Sequence, residues 1–148
     1  MHSNIYQLID DNDKYVREYI PEWWQDEGNC DYYDEMDDSS RENAIKWLAK
    51  TEKVDGESIT IGTGYLEKRW EYFREKRNEL SNMTKKQFMG KADNPFRVEC
   101  LIHNIKQAFS DEFGFWFLLG SDMYTSADLE RYCAGKTFKI GKVWDYHR

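Results

Sequence analysis

Cysteine, proline and long apolar runs are all scarce in this 148-residue chain, and each shortage excludes something. The three cysteines, Cys30, Cys100 and Cys133, are odd in number and widely spaced, with no CxxC. That argues against a disulfide framework and for free thiols in the cytoplasm of a bacterial host cell. Proline occurs twice, at Pro21 and Pro95, and no Pro/Ser-rich linker, repeat or low-complexity tract divides the chain. One domain over residues 1–148 is the expectation. No charged n-region followed by an apolar stretch opens the sequence, so no secretory leader is expected. The longest apolar run, Phe113–Leu119, is too short to span a bilayer. Positive charge shows the most telling gap: from Glu18 to Asp38 there is no Lys and no Arg.

That gap is filled with acids and rings. Glu18, Glu22, Asp26, Glu27, Asp31, Asp34, Glu35, Asp37 and Asp38 share the segment with Tyr19, Trp23, Trp24, Tyr32 and Tyr33. Carboxylates this dense repel one another, and the aromatics argue against a merely solvating tail. The combination suits a surface that meets a cationic partner and holds it with aromatic anchors. The remaining charge is unevenly placed. Residues 1–60 carry sixteen acids against six Lys/Arg, residues 61–110 six against ten, and residues 111–148 six against five. The net charge of -7 opposes general affinity for nucleic acid or anionic membranes. Aromatics make up 16% of the chain, enough to build a core from few, large side chains.

Ile5, Leu8, Ile9, Val16 and Ile20 recur at helical spacing, which predicts a first helix from Ser3 to about Ile20, stopped by Pro21. Residues 22–38 read as an irregular acidic connection with room for one helical turn around Trp23. Ser39-x-x-Glu42 reads as a capping box opening a second helix that buries Ala44, Ile45 and Leu48. Ser58–Ile61 alternates as a short strand after Gly56. Gly62-Thr63-Gly64 then turns the chain into a third helix, Tyr65–Leu80, with Leu66, Trp70, Phe73 and Leu80 on one face. A polar stretch with Lys85, Lys86 and Lys91 follows. Asn94 as cap and Pro95 at the first position predict a helix over 95–109, with an apolar stripe of Val98, Leu101, Ile102, Ile105, Ala108 and Phe109. Phe113–Leu119 reads as a buried strand, 126–134 as a short helix closed by Gly135, and Thr137–Tyr146 as a last strand with Phe138 and Ile140 inward and a bulge at Gly141. The sum is a single α+β domain, mostly helical with a small, about three-stranded sheet: an acidic N-terminal part (1–60), a basic helical middle (61–110) and a β-α-β C-terminal part (111–148).

Several smaller patterns invite chemistry. Cys100 and His103 project together from the polar side of the 95–109 helix, but neither a metal set nor a nucleophile–base–orienter set is completed by spacing. Gly62-x-Gly64 resembles a phosphate-binding turn, yet Glu67 stands where the dinucleotide fingerprint needs its third glycine, and no Gly-Lys-Ser/Thr follows. Asp10, Asp11 and Asp13 open like a calcium loop, but Val16 stands where glycine is required. Of the basic run Lys68, Arg69, Arg74, Lys76, Arg77, Lys85, Lys86, the first five share one helix with Glu67, Glu71, Glu75 and Glu79, so a solvated face neutralised locally, or an internal partner for the acidic segment, is a plainer reading than phosphate contact.

These readings converge on a non-enzymatic expectation, with no metal and no cofactor. The chain reads as a small acidic inhibitor that binds a basic protein partner, a nucleic-acid-acting enzyme, by occupying its cationic groove. Anti-CRISPR and antirestriction proteins of phages and mobile elements, and immunity proteins against nuclease toxins, have this general acidic character. The partner-binding residues expected are Trp23, Trp24, Asp26, Glu27, Asp31, Tyr32, Tyr33, Asp34, Glu35, Asp37 and Asp38. No direct contact with nucleic acid or membrane is expected. The alternative is a small enzyme or ligand-binding domain with an aromatic pocket of Trp116, Tyr124 and Trp144 near Cys100/His103. A third reading is a structural subunit that packs its acidic part on a neighbour's basic helix.

Overall fold

The computed structural model describes residues 2–90, 97–108 and 114–148. In chain order its elements are β1 (His2–Ile9), α1 (Glu22–Asp26), β2 (Tyr32–Glu35), α2 (Asp38–Leu48), β3 (Lys53–Asp55), β4 (Ser58–Thr60), α3 (Gly64–Ser81), α4 (Lys85–Phe88), α5 (Arg97–Gln107), β5 (Trp116–Leu119), β6 (Asp122–Thr125), α6 (Ser126–Cys133) and β7 (Thr137–His147). They fall into two compact units: residues 1–65 with 111–148, which hold the sheet, and residues 66–110, which are helical.

The sheet is mixed, in the order β3-β4-β7-β1-β5-β6, with β2 also paired to β7. This overturns the expected small sheet of about three strands: seven strands and six helices are present among the described residues. The first of the missed strands is β1, where a helix over 3–20 was expected. It runs parallel to β5 and antiparallel to β7, in the middle of the sheet. A central strand is buried on both faces, so Ile5, Tyr6, Leu8 and Ile9, interrupted by the buried Gln7, show no apolar–polar alternation and their spacing imitates a helix. Tyr6 and Leu8 enter one core with Phe117, Ile140 and Val143, whereas Ile5 enters the other with Leu118, Trp144 and Tyr146. The first core is closed by α2, through Ala44, Ile45 and Leu48, and by Leu129 and Cys133 of α6. Ile20, Trp24 and Cys30 close the second.

The chain leaves β1 through a self-satisfied turn. Asp13 N–H donates to the Asp10 carbonyl at 2.9 Å, and Asp10 N–H donates to Asp13 Oδ2 at 2.9 Å. The three aspartates that open like a calcium loop therefore spend their geometry on the turn itself. Pro21 does not end a helix but precedes one, at the N-cap of α1.

The expected bulge at Gly141 is present. Tyr6 pairs with Val143 and Leu8 with Ile140, so β7 fits one extra residue into that interval. The extra residue changes which positions face which core: Phe138 and Ile140 serve the first before the bulge, and Val143 serves it after, leaving Trp144 and Tyr146 for the second. A Cβ on Gly141 would come within 2.8 Å of Ile9 Cδ1 and closer still to Gln7 Oε1, so a side chain there would have to push both aside. Gln7 Oε1 accepts from Lys142 N–H at 3.0 Å. The guanidinium of Arg41 donates to the carbonyls of Ile140 (2.8 Å) and Gly141 (2.7 Å) and to Glu57 Oε1 (2.6 Å).

Other boundaries shifted as local chemistry required. The cap of α2 is Asp37, whose Oδ1 accepts from Ser40 N–H at 2.8 Å, in place of the expected box from Ser39. β3 and β4 form a hairpin around Gly56, whose φ of 60° supplies the left-handed turn position. The single strand expected at 58–61 is its second arm. β6 pairs back on β5 and was not expected at all. The short helix at 126–134 and its closing Gly135 stand as expected, and Thr125 caps that helix through Asp128 N–H.

In the helical unit α3 buries no residue: Trp70 is exposed, and Leu66, Phe73 and Leu80 are half-buried. Arg69 donates to the carbonyls of Gln107 and Ala108, placing a cation at the C-terminus of α5. Lys76 pairs with Glu79 at 2.8 Å and with Glu75 at 3.4 Å. Leu101 of α5 is buried, but Ile102 is exposed, so the expected stripe is not wholly inward. Thr84 and Gln87 form a capping box that opens α4 within the stretch read as merely polar. Asn94, Pro95, Lys91, Phe109 and Phe113 lie outside the described residues.

Candidate functional site: an acidic sheet edge

β7 is long enough to carry two short strands on one side. β4 pairs with Thr137–Lys139 and β2 with Trp144–His147. Between them sits the bulge, filled by the Arg41 guanidinium. β2 therefore lies at a sheet edge, which turns part of the acidic segment read as irregular into a strand with fixed register. Tyr33 and Glu35 lie over Tyr146 and Trp144, whereas Tyr32 and Asp34 lie beside His147 and Asp145 on the opposite face.

Two of the anchor rings expected at the site behave oppositely. Trp24 is fully buried, with edge-on contacts to Trp116 and Tyr146 at centroid distances of 5.3 and 5.6 Å. It is a core residue and not a partner anchor, because the neighbouring apolar surface of the sheet must be covered and α1 supplies the cover. Its Nε1 is buried without a hydrogen-bond partner. Trp23, on the other side of the same turn, is 45% exposed. Tyr33 is half-buried against the second core, and burial, with Cys30, Glu22 and Tyr19 nearby, pushes its phenol above the ordinary value. Tyr32 stays 48% exposed, its ring stacked on His147 at 5.2 Å.

The carboxylates divide in the same way. Asp37 caps α2, and the Ser40 amide and hydroxyl hold its carboxyl below the ordinary range. Glu35 accepts from Lys142 Nζ at 2.9 Å, and that bond raises the lysine's affinity for its proton. Asp31 Oδ2 lies 3.3 Å from His147 Nδ1, and Asp145 Oδ2 3.0 Å from His2 Nδ1. Glu18, Glu22, Asp26, Glu27, Asp34 and Asp38 are exposed and have no ion pair among the described residues. Lys142, His147, His2 and Asp145 were missed because strand pairing, not sequence proximity, brings them to the edge.

Beside this edge the chain from 15 to 23 curves around an open cavity of about 360 Å³ lined by Tyr15, Arg17, Glu18, Tyr19, Ile20, Pro21, Glu22 and Trp23. Tyr15 and Tyr19 are among the most exposed large side chains in the molecule.

The other patterns resolve otherwise. At Gly62-Thr63-Gly64 the start of α3 already has its anion: buried Glu130 accepts from Tyr65 N–H through Oε1 at 2.9 Å. Cys100 and His103 are both exposed on α5, in the helical unit. Trp144 and Trp116 belong to the second core, whereas Tyr124 packs on the first. No group of three or more His, Cys, Asp or Glu able to hold a metal occurs among the described residues. No described helix is long and apolar enough to cross a membrane. Compared with known proteins, the chain matches no protein-family model, no curated protein and no solved structure.

Proposed function

We propose that the protein is a stoichiometric inhibitor whose acidic face occupies a cationic, nucleic-acid-binding surface of another protein. Inhibitors that phages and mobile elements aim at restriction or CRISPR nucleases, and immunity proteins against nuclease toxins, work in this manner. The observation that carries the reading is the set of exposed carboxylates at Glu22, Asp26, Glu27, Asp34 and Asp38, which form no ion pair among the described residues. Leaving so many like charges together works against folding, so they are better explained by an external partner than by stability. Such a face steers a cationic groove into contact and repels nucleic acid. Trp23 and Tyr32 supply exposed rings among the charges, in the role of anchors.

The test is affinity capture of the partner from the source cells, with DNA or heparin as competitor. A variant with Glu22, Asp26, Glu27, Asp34 and Asp38 changed to Lys is captured alongside. None of these side chains holds the fold through an ion pair, so circular dichroism should match the parent. The partner should be displaced by the polyanion and lost from the variant. Undiminished capture by the variant overturns the proposal.

A further inference from the structure

We propose that the partner contributes an extended segment, bearing Lys or Arg at two adjacent positions, which adds to the sheet as a new strand along the free edge of β2. This deepens the function proposed above and rests on it. The ladder fixes which backbone groups are open. Met36 N–H donates to the Val143 carbonyl at 2.9 Å, and antiparallel pairing alternates, so Tyr32 and Asp34 also turn their backbone groups toward β7. Tyr33 and Glu35 therefore present N–H and C=O outward. No other strand pairs with β2, and neither residue has a further backbone bond among the described residues.

Charge decides what can fill this edge. Asp34 projects to one face of the sheet and Glu35 to the other, flanked by Asp31 and Asp37. A second copy pairing edge to edge would set these acids against their own duplicates, which is unfavourable in directly opposed positions. Short, charged edges also serve to prevent aggregation, but the acids here outnumber Lys142, which pairs with Glu35, so the edge blocks chiefly chains of the same sign. A cationic strand meets the opposite condition: two successive side chains face Asp34 on one side and Glu35 on the other, while its backbone completes the open bonds. Exposed Tyr32 gives such a strand an aromatic neighbour.

The experiment selects binders from a displayed random-peptide library on the immobilised full-length protein and compares two variants. Glu35→Gln removes the charge and keeps the outward N–H. Glu35→Pro removes that N–H as well, at an edge position where proline leaves the β7 ladder intact. Enriched peptides should carry Lys or Arg at two adjacent positions within an extended, strand-forming sequence. They should lose affinity a few-fold on Glu35→Gln and roughly ten-fold or more on Glu35→Pro. Independently of any variant, saturation with a selected peptide should slow hydrogen exchange at the amides of Tyr33 and Glu35. Basic peptides whose binding leaves these amides unprotected overturn the strand addition while sparing the charge-based reading. A selection that enriches no basic peptide overturns both.

Discussion

Replacing Trp24 by alanine should unfold the protein more readily without touching its partner surface. The indole is fully buried and packs edge-on against Trp116 and Tyr146. Truncating a buried Trp to Ala typically costs about 3–5 kcal/mol, the lost transfer energy plus the cavity left behind. In a chain of this length each kcal/mol lowers Tm by roughly 2–4 °C, so a fall of roughly 6–20 °C is expected. Trp24→Phe should be far milder. It keeps a ring in the site and removes the unpartnered Nε1–H, whose burial alone costs about 1–3 kcal/mol. Trp23→Ala, on the exposed side of the same turn, should stay within about 0.5 kcal/mol of the parent. The assay is thermal unfolding by circular dichroism, with guanidinium titration to check that the m-value is unchanged. A Trp24→Ala protein melting within 2 °C of the parent, an interval set from roughly 0.5 kcal/mol of tolerance, refutes the core assignment.

Gly141→Ala should lower the guanidinium midpoint by an amount worth about 1–3 kcal/mol, because the new methyl meets Ile9 and a Gln7 side chain already tied to Arg17 and Lys142; an unchanged midpoint would show the bulge to be dispensable. Arg41, by its hydrogen bond and its charge, holds the Glu57 carboxyl below its ordinary 4.5, so the pair stabilises the fold above that pH and the contribution is lost as pH falls through the folded value. Glu57→Gln should accordingly flatten the acid limb of a Tm-versus-pH curve below about pH 4.5, and an unaltered limb contradicts this. Against the captured partner, Asp34→Asn should slow association by an amount that shrinks with added salt. Tyr32→Ala should instead speed dissociation, by an amount worth about 2 kcal/mol if the ring is a hot spot; the opposite partition on a kinetic biosensor would reverse these roles. A gel shift near physiological salt should show no duplex binding by a protein of charge -7, and micromolar binding would move attention to the basic run at 68–86.

The sequence by itself determined the local features whose causes are local. The acid-rich, cation-free stretch from Glu18 to Asp38 is a fact of composition. The inward positions of α2 and the closing glycine of α6 are likewise set by near neighbours in the chain, whereas the bulge is flagged locally by Gly141 but shaped by Gln7, Ile9 and Arg41 from far along it. Tertiary structure alone decided what depends on pairing at a distance. β1 reads as a helix until β5 and β7 flank it, because burial on both faces erases the alternation that marks a strand. Tyr32–Glu35 reads as loop because its two tyrosines are too short a strand signal beside Asp34 and Glu35 and the acids around them; the length of β7 makes the segment a strand. The same distinction sorts Trp23 from Trp24, adjacent and chemically alike. Both belong to one acidic turn, and only the apolar surface of the sheet beneath it determines which ring is buried and which meets solvent.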